Sequence, residues 1–483
     1  MTSPEGGGLV GTAGAAARRD AAAGIGPGTP RAVRLVADCV VTMDDETRVF
    51  RPGALELVGD RIAWVGPADE APRGSPGEAA AGDAAWTVTA PGAATDVRHV
   101  GGLLMPGLVN AHGHSPMTLL RGAGDGLPLD RWLAEAIWPR EARLSPEDVF
   151  WGMLLGSAEL LRAGVTTTCE LYLHSRAVAD AAAVAGVRCV LTPGIFDLPG
   201  AGPAATWRRC LEDAARLHAD LSGRDPGLTV GLGPHSAYTL PPEALVAVAT
   251  VAGELDALVH VHVAETREEG EVVRARHGCG APEALRRAGL LDCRLLAAHA
   301  VWLDDTELGL FARHDVAVAH CPQSNAKLGS GVADVPGILA RGIRVGLGTD
   351  GPASNDNLDL WEELRLAPLL ARAVARDASA LGTVDALSLA TRGGAAALGL
   401  ACGALAPGRF ADVVRVELED AAFVPAEGNA HLLTLLVWAA SSRLVTDVWV
   451  GGRHVVVGGE CLSVDEPRAR REVADRARRL CAG

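Results

Sequence analysis

The chain has 483 residues, of which 48% are hydrophobic, and its formal net charge at pH 7 is −15. This length and apolar content allow a large buried core. The excess of acidic residues argues against nucleic acid or an anionic membrane as the main partner, because both bind basic surfaces.

The first 30 residues are rich in Gly and Ala and lack a basic start followed by an apolar core. This composition predicts a mobile tail over residues 1–30, not a secretory signal. The ten cysteines are scattered and form no CxxC motif, which is typical of a reduced, cytoplasmic protein. No apolar run reaches the roughly 18 to 20 residues that a membrane helix needs, so we expect no membrane partner.

Both ends of the chain contain short strand-like runs separated by turn residues. Examples are "GALELVGDRIAWVG" near the start and "VTDVWVGGRHVVVGGE" near the end. We predict that residues 31–102 and 401–483 form one small composite β-sandwich, with the Ala/Gly/Asp-rich stretch 70–98 as a loop within it.

Between residues 103 and 400, short apolar runs alternate with amphipathic helical patterns such as "PEDVFWGMLLGSAELLRA". This alternation indicates a parallel sheet with helices outside it, and eight such units predict an α/β fold of the (β/α)8 TIM-barrel type. The predicted strands are residues 103–110, 164–171, 188–196, 228–235, 258–265, 294–301, 315–322 and 344–350.

Histidines and carboxylates cluster where the predicted strands end. In a barrel these strand ends converge on one face, where active sites are built. The residues are His112, His114, Glu170, His235, His262, Glu265, His299, His320 and Asp350.

Three imidazoles and one carboxylate suit a divalent metal, with Zn²⁺ favoured and Fe²⁺ as the alternative. Such a metal lowers the pKa of a bound water towards about 7, and a nearby carboxylate can then move protons. Glu265, three residues past His262, is the natural candidate. Lys327 is the only lysine and follows the seventh predicted strand. A lysine-bridged pair of metals needs its lysine after the fourth strand, so we expect a single metal.

Several of these residues also have purely structural interpretations. His260 would share a face with His262 in a regular strand, and we expect it to be a hydrogen-bonded interior residue. His320 is expected to be structural. Glu170 is expected to position a metal ligand without binding the metal itself. Asp350 could cap a helix, although its position at a strand end favours metal binding.

The motifs resemble those of the amidohydrolase superfamily, in its chlorohydrolase and nucleoside-deaminase branch, over most of residues 35 to 460. They are, in chain order, "PGLVNAHGHSPMTLLRG", "GLGPHSAY", "HVAETREE", "AAHAVWL", "HCPQSNAKLGSG", "LGTDGPASNDNLDLWEELRLA" and "GALAPGRFADVV". The resemblance implies a metal-dependent aminohydrolase that uses an activated hydroxide and releases ammonia.

The resemblance also implies a role for each site residue. The expected metal ligands are His112, His114, His262 and Asp350. Glu265 would protonate the ring nitrogen beside the carbon under attack. His299 would hold or deprotonate the water, with Asp350 taking part, and His235 would contact the substrate heterocycle.

The resemblance further implies an adenosine-like nucleoside substrate, such as a 5′-modified adenosine. Trp132 would pack on it, Glu141 would bind its ribose hydroxyls, and Ser354 is a further expected contact. Pro193 stands where the S-adenosylhomocysteine enzymes carry an arginine for the amino-acid end of the substrate. Arg208 and Arg209 follow shortly in sequence and are candidates to replace it.

Two alternatives remain open at this point. The substrate could be another amino-heterocycle, such as guanine, a pterin or a triazine. A non-catalytic barrel is the second alternative, but such a protein should have lost ligands, and here the expected ligands and acid/base residues are all present. A homo-oligomer is a family expectation.

Overall fold

The computed structural model describes residues 32–72, 95–197 and 206–481. The predicted tail over residues 1–30 and most of the predicted loop 70–98 lie outside these ranges. Within them, no helix is both long enough and apolar enough to cross a bilayer.

Seven strands precede the central region of the chain. They are β1 (Ala32–Ala37), β2 (Cys39–Val41), β3 (Val49–Phe50), β4 (Gly53–Val58), β5 (Arg61–Pro67), β6 (Asp96–His99) and β7 (Leu103–Pro106).

The central strands pair in parallel and are largely buried. They are β8 (Leu108–Gly113), β9 (Val165–Glu170), β10 (Arg188–Leu191), β11 (Gly194–Ile195), β12 (Leu228–Val230), β13 (Gly233–Pro234), β14 (Val259–Val263), β15 (Leu295–His299), β16 (Ala317–His320) and β17 (Val345–Leu347). The last strands are β18 (Val413–Val416), β19 (Val445–Val450), β20 (Arg453–Val457) and β21 (Glu460–Cys461).

The central strands form a closed ring. One sheet has the order β12-β10-β9-β8 and a second has the order β14-β15-β16-β17. Parallel bridges Leu232–Val259 and Gly113–Asp350 join the two sheets at both ends. The architecture is therefore α/β, as the alternating pattern predicted.

Helices follow the ring strands along the chain. They are Pro146–Arg162, Ser175–Ala185, Trp207–Leu221, Pro242–Leu255, Arg267–His277, Ala281–Arg287, Asp305–Arg313, Pro322–Lys327, Val335–Ala340 and Leu360–Ala375, with Thr383–Ser388 and Gly394–Leu398 after them. The first illustrates why they form. Ser145 caps it by accepting from the Asp148 N–H, and Asp148 accepts in return from the Ser145 N–H at 2.8 Å.

The two ends of the chain share one seven-stranded sheet, in the order β21-β20-β19-β18-β7-β2-β3. A four-stranded sheet, β5-β4-β1-β6, belongs to the N-terminal end alone. A separate hydrophobic cluster contains residues from both ends, including Leu35, Leu55, Leu104, Val413 and Trp449.

The predicted strand 103–110 is two strands in different sheets, β7 and β8. The break falls at Gly107, where a Cβ atom would lie only 2.0 Å from Thr166 Oγ1. A residue with a side chain does not fit there, so the chain can pass from one sheet to the other only through glycine.

Two C-terminal helices, Gly428–Trp438 and Glu466–Cys481, lie in the region predicted to be a sandwich. The second runs alongside Pro146–Arg162, and ion pairs join them: Arg476 to Glu147 at 2.6 Å and Arg479 to Asp148 at 2.5 Å. Strand patterns dominate the sequence around them, so these helices were not predicted.

Candidate active site

Three histidines and an aspartate from three strands of the ring converge on one point. His112 lies in β8, His114 just beyond it, His262 in β14, and Asp350 just past β17. Asp350 Oδ1 lies 3.3 Å from the Nε2 atoms of both His112 and His114. The Nε2 atom of His114 lies 3.3 Å from that of His262.

Two of these rings are oriented by backbone carbonyls. His114 Nδ1 donates to the Leu171 carbonyl, and His262 Nδ1 donates to the His235 carbonyl at 2.8 Å. A carbonyl only accepts, so Nδ1 carries a proton in both rings. Nε2 is then the ring nitrogen that faces the shared point and is available to a metal.

His112 is oriented by consecutive hydrogen bonds through the side chains of Thr192 and His260. The Thr192 hydroxyl donates its single proton to the Glu170 carbonyl at 3.1 Å, so it accepts from His260 Nδ1 at 3.0 Å. His260 Nε2 then accepts from His112 Nδ1 at 2.8 Å. His260 is thus the hydrogen-bonded interior residue that was predicted, and it leaves the lone pair of His112 on Nε2.

Asp350 is held from behind by two hydroxyl groups. Ser324 Oγ and Ser354 Oγ donate to Oδ2 at 2.6 Å and 2.9 Å. This leaves Oδ1 facing the histidines. Ser354 is buried and does not line the cavity, which differs from its predicted contact with substrate: its hydroxyl is already committed to Asp350.

The donor set fits a divalent cation. His112 Nε2 is buried and lacks a hydrogen-bond partner, and burial lowers the pKa of His112 to about 4, so the ring is neutral. Ligand atoms of His112, His114 and His262 lie within 4.8 Å of one another, as do those of His112, His299 and Asp350. Lone pairs and a carboxylate packed this closely can hold a divalent cation between them.

Glu265 and His299 lie together beside this group. Glu265 Oε2 is 3.7 Å from His299 Nε2, and His299 Nδ1 is hydrogen-bonded to Asn325 Oδ1 at 2.9 Å. Burial raises the pKa of Glu265. Burial alone would lower the pKa of His299, but the nearby carboxylates of Glu265 and Asp350 outweigh it and raise that pKa. At this distance each group affects the charge state of the other.

A buried carboxylate that sequence analysis missed holds the backbone of Glu265. Glu269 accepts from the Glu265 N–H at 2.7 Å and from the Ala264 N–H at 3.0 Å. Ala264 has a left-handed φ of +52°, an unfavourable conformation for alanine that this pair of hydrogen bonds stabilises. The "ETREE" segment contains Glu269, but nothing in its spacing distinguishes this glutamate from its neighbours.

Left-handed backbone also occurs at two other site residues, His299 with φ +70° and Asp350 with φ +59°. Such conformations cost about 1–3 kcal/mol each and persist where surrounding contacts enforce them. They turn the chain at the strand ends, so that these side chains point toward the cavity.

Glu170 supports the turn that carries His114. Its carboxylate accepts from Ser115 Oγ at 2.5 Å and from the Ser115 N–H at 2.8 Å.

His320 is buried and belongs to neither group of candidate metal ligands. Lys327 donates to Asp356, away from the histidines.

His114, His262, His299 and Asp350 form the floor of an open cavity. Its lining includes Trp132, Glu141 and His235, all three predicted substrate contacts. Trp132 and Glu141 lie at the two ends of one local segment: a π-helical turn, Trp132–Ile137, followed by the short helix Trp138–Glu141. Both side chains are buried, and burial raises the pKa of Glu141 to about 7.

The loop before this segment packs closely against Trp132. The indole Nε1 donates to the Ala123 carbonyl at 2.9 Å. A Cβ atom on Gly124, whose φ is +73°, would lie 2.7 Å from the Trp132 ring. Glycine therefore lets the loop approach the indole closely.

Comparison with known proteins gives concordant matches. A family model described as "Amidohydrolase family" matches residues 103–455. A 5-methylthioadenosine/S-adenosylhomocysteine deaminase of Pelotomaculum thermopropionicum is 39% identical over 444 residues, which cover 91% of this chain and 97% of that protein. A 5′-deoxyadenosine deaminase of Methanothermobacter thermautotrophicus is 41% identical over 397 residues, covering 82% and 91%.

Among solved structures, an adenosine deaminase from Xanthomonas campestris with bound zinc is similar, with a TM-score of 0.85 and 34% identity. The match covers 95% of this chain and 100% of that one. The chain is therefore comparable to these proteins over nearly its whole length.

Proposed function

Because the chain belongs to the amidohydrolase family, as its motifs predicted, we propose that it is a metal-dependent hydrolase that removes the amino group of an adenosine-like nucleoside as ammonia. The observation that carries this proposal is the convergence of three imidazole Nε2 atoms and Asp350 Oδ1 beside Glu265 and His299, at the floor of a cavity lined by Trp132.

His112, His114, His262 and Asp350 would hold one divalent metal. Zinc is the first candidate, because the Xanthomonas campestris neighbour contains it, and Fe²⁺ is the alternative. When bound, this ion supplies a water activated for attack at neutral pH.

The chain's own residues would then move the protons. Glu265 would donate one to the ring nitrogen beside the carbon under attack, and its burial favours the protonated carboxyl that this step needs. His299, with Asp350, would hold the attacking water and accept its proton. The proton accepted from the water would then pass to the amino group as its C–N bond breaks, so that it leaves as ammonia, and the added oxygen becomes the carbonyl of the product as its remaining proton returns to Glu265.

Trp132, Glu141 and His235 would bind the nucleoside. The indole of Trp132 offers a flat apolar face for stacking, and the Glu141 carboxyl offers oxygens to sugar hydroxyls. His235 lines the cavity next to His262, where the heterocycle must lie to reach the histidine group.

We also propose the architecture behind this site. The closed ring supports a (β/α)8 barrel within residues 103–400, beginning at β8. The shared sheet and hydrophobic cluster support a composite β-sandwich from residues 31–102 and 401–483, to which β7 (Leu103–Pro106) also belongs.

The test is ammonia release from metal-quantified protein with adenosine, 5′-deoxyadenosine and methylthioadenosine, with guanine and a pterin as comparison substrates. Glu265→Gln should keep one metal per chain and lose activity by at least about a thousandfold. Full activity in this variant would refute the role of Glu265. Turnover of guanine or pterin alone would refute the nucleoside substrate.

A further inference from the structure

Much of the cavity wall is apolar. Apart from the metal-site residues and Glu141, the lining side chains include Leu129, Leu133, Ile137, Trp138, Leu173 and Phe196. Among the described residues that line the cavity there is no lysine and no arginine, while Glu141, Glu265 and Asp350 contribute carboxyl groups.

Basic residues next in sequence to lining residues are engaged elsewhere. The pairs are Arg131 with Glu135 at 2.7 Å, Arg140 with the Ala136 carbonyl, and Lys327 with Asp356. None of these three residues lines the cavity.

The two candidate replacements for the missing arginine do not line the cavity. The Arg208 guanidinium lies 4.1 Å from the centroid of the Trp207 ring, and Arg209 pairs with Glu212 and Asp213 on its own helix. Residues 198–205, which lie outside the described ranges, read LPGAGPAA and contain no basic residue. This segment adds no cation to the site.

The carboxylate of an amino-acid group, or a phosphate, would thus lie against an apolar wall without a basic partner. Burying an anion without such a partner is strongly unfavourable. A hydrogen atom or an alkylthio group in the same place carries no such penalty and gains from apolar contact.

We propose that the cavity selects adenosines with an uncharged 5′ substituent, such as 5′-deoxyadenosine and methylthioadenosine. It discriminates against the amino-acid group of S-adenosylhomocysteine and against 5′-phosphates. This inference rests on the proposed function and narrows its substrate class.

The experiment compares kcat/KM of the metal-loaded enzyme for four substrates with the same base: 5′-deoxyadenosine, methylthioadenosine, S-adenosylhomocysteine and adenosine 5′-monophosphate. The first two should exceed the last two by about a hundredfold or more. S-adenosylhomocysteine within about threefold of methylthioadenosine would overturn the selectivity and leave the deaminase assignment intact. No turnover of any of the four would instead contradict the proposed function.

A matched pair of variants tests whether charge is the cause. Leu173 lines the cavity and is half-buried in the loop after β9, so a longer polar side chain can be accommodated there. Leu173→Arg should raise kcat/KM for S-adenosylhomocysteine relative to methylthioadenosine by about tenfold. Leu173→Gln, which is long and polar but uncharged, should not. Equal ratios in the two variants would show that a missing cation is not what excludes the amino acid.

Discussion

The floor and the wall of the cavity are built in different ways. On the floor, the side chains come from separate strands of the ring, and each has a partner on another element: Leu171 for His114, His235 for His262, and Ser324 for Asp350. The wall near Trp132 is one continuous local segment held mainly by packing. The floor therefore cannot change without changing the ring, whereas the wall can vary with little effect on the floor.

The largest effect should come from breaking the floor itself. His262→Ala removes one imidazole from the proposed metal set, so metal content should fall well below one per chain and activity by at least about a thousandfold. Metal analysis after gel filtration checks this. Trp132→Phe is the matched wall variant, and it should keep full metal content.

The next effect tests the hydrogen-bond chain behind His112. Thr192→Val removes the stronger acceptor for His260 Nδ1 and leaves Cys169 Sγ, a weak acceptor at 3.4 Å, so His112 is held less firmly with its lone pair on Nε2. Metal affinity should fall by about 10- to 100-fold, measured by chelator competition. Thr192→Ser restores the hydroxyl and should recover the affinity. If the Val and Ser variants bind metal equally well, the hydrogen bonds from Thr192 through His260 do not control the orientation of His112.

A smaller effect is expected at Glu269, which positions Glu265 without touching the metal set. Ala264 and Glu265 donate their N–H groups to different oxygens of Glu269, so Glu269→Gln, which replaces one oxygen with an NH₂ group, keeps one of these two hydrogen bonds and loses the other. We expect kcat to fall by about tenfold while metal content and KM stay constant. A change in KM alone would contradict this positioning role.

The last prediction concerns protein stability, not activity, and tests the wall. The pKa of Glu141 rises from its ordinary 4.5 to about 7 on burial, so the folded state favours the protonated form. The stabilising contribution of Glu141 to the free energy of unfolding is therefore largest below pH 4.5, and it is lost as the pH rises from 4.5 to about 7. Glu141→Gln is neutral at every pH, so its Tm relative to the parent protein should increase between pH 4.5 and 7. A constant difference in Tm across this range would show that Glu141 does not titrate in this way.

The sequence predicted the residues of the cavity floor better than it predicted the residues that hydrogen-bond to them. Family membership, the α/β class and the convergence of strand-end histidines follow from motifs and from the geometry of parallel strands, which depend on short-range patterns. Thr192, Glu269 and the contact of Ser354 with Asp350 depend on which side chains meet across different elements, and no local pattern encodes that. The strand 103–110 is a different case. Its apolar run contains the pair Pro106-Gly107, a local turn signal, and the structure divides the run there, where Thr166 leaves no room for a Cβ atom on residue 107.

The pairing of β7 with β18 also orders events in time. Leu103–Pro106 leads directly into the strand that carries His112, and one of its edges pairs with Val413–Val416, more than 300 residues later in the chain. At a synthesis rate of about 5–20 residues per second, that edge stays open for roughly 15 to 60 seconds on the ribosome. Contacts this distant in sequence also form slowly. Completion of the shared sheet, and with it the final position of the His112 strand, is therefore a late step of folding that follows emergence of the C-terminal strands.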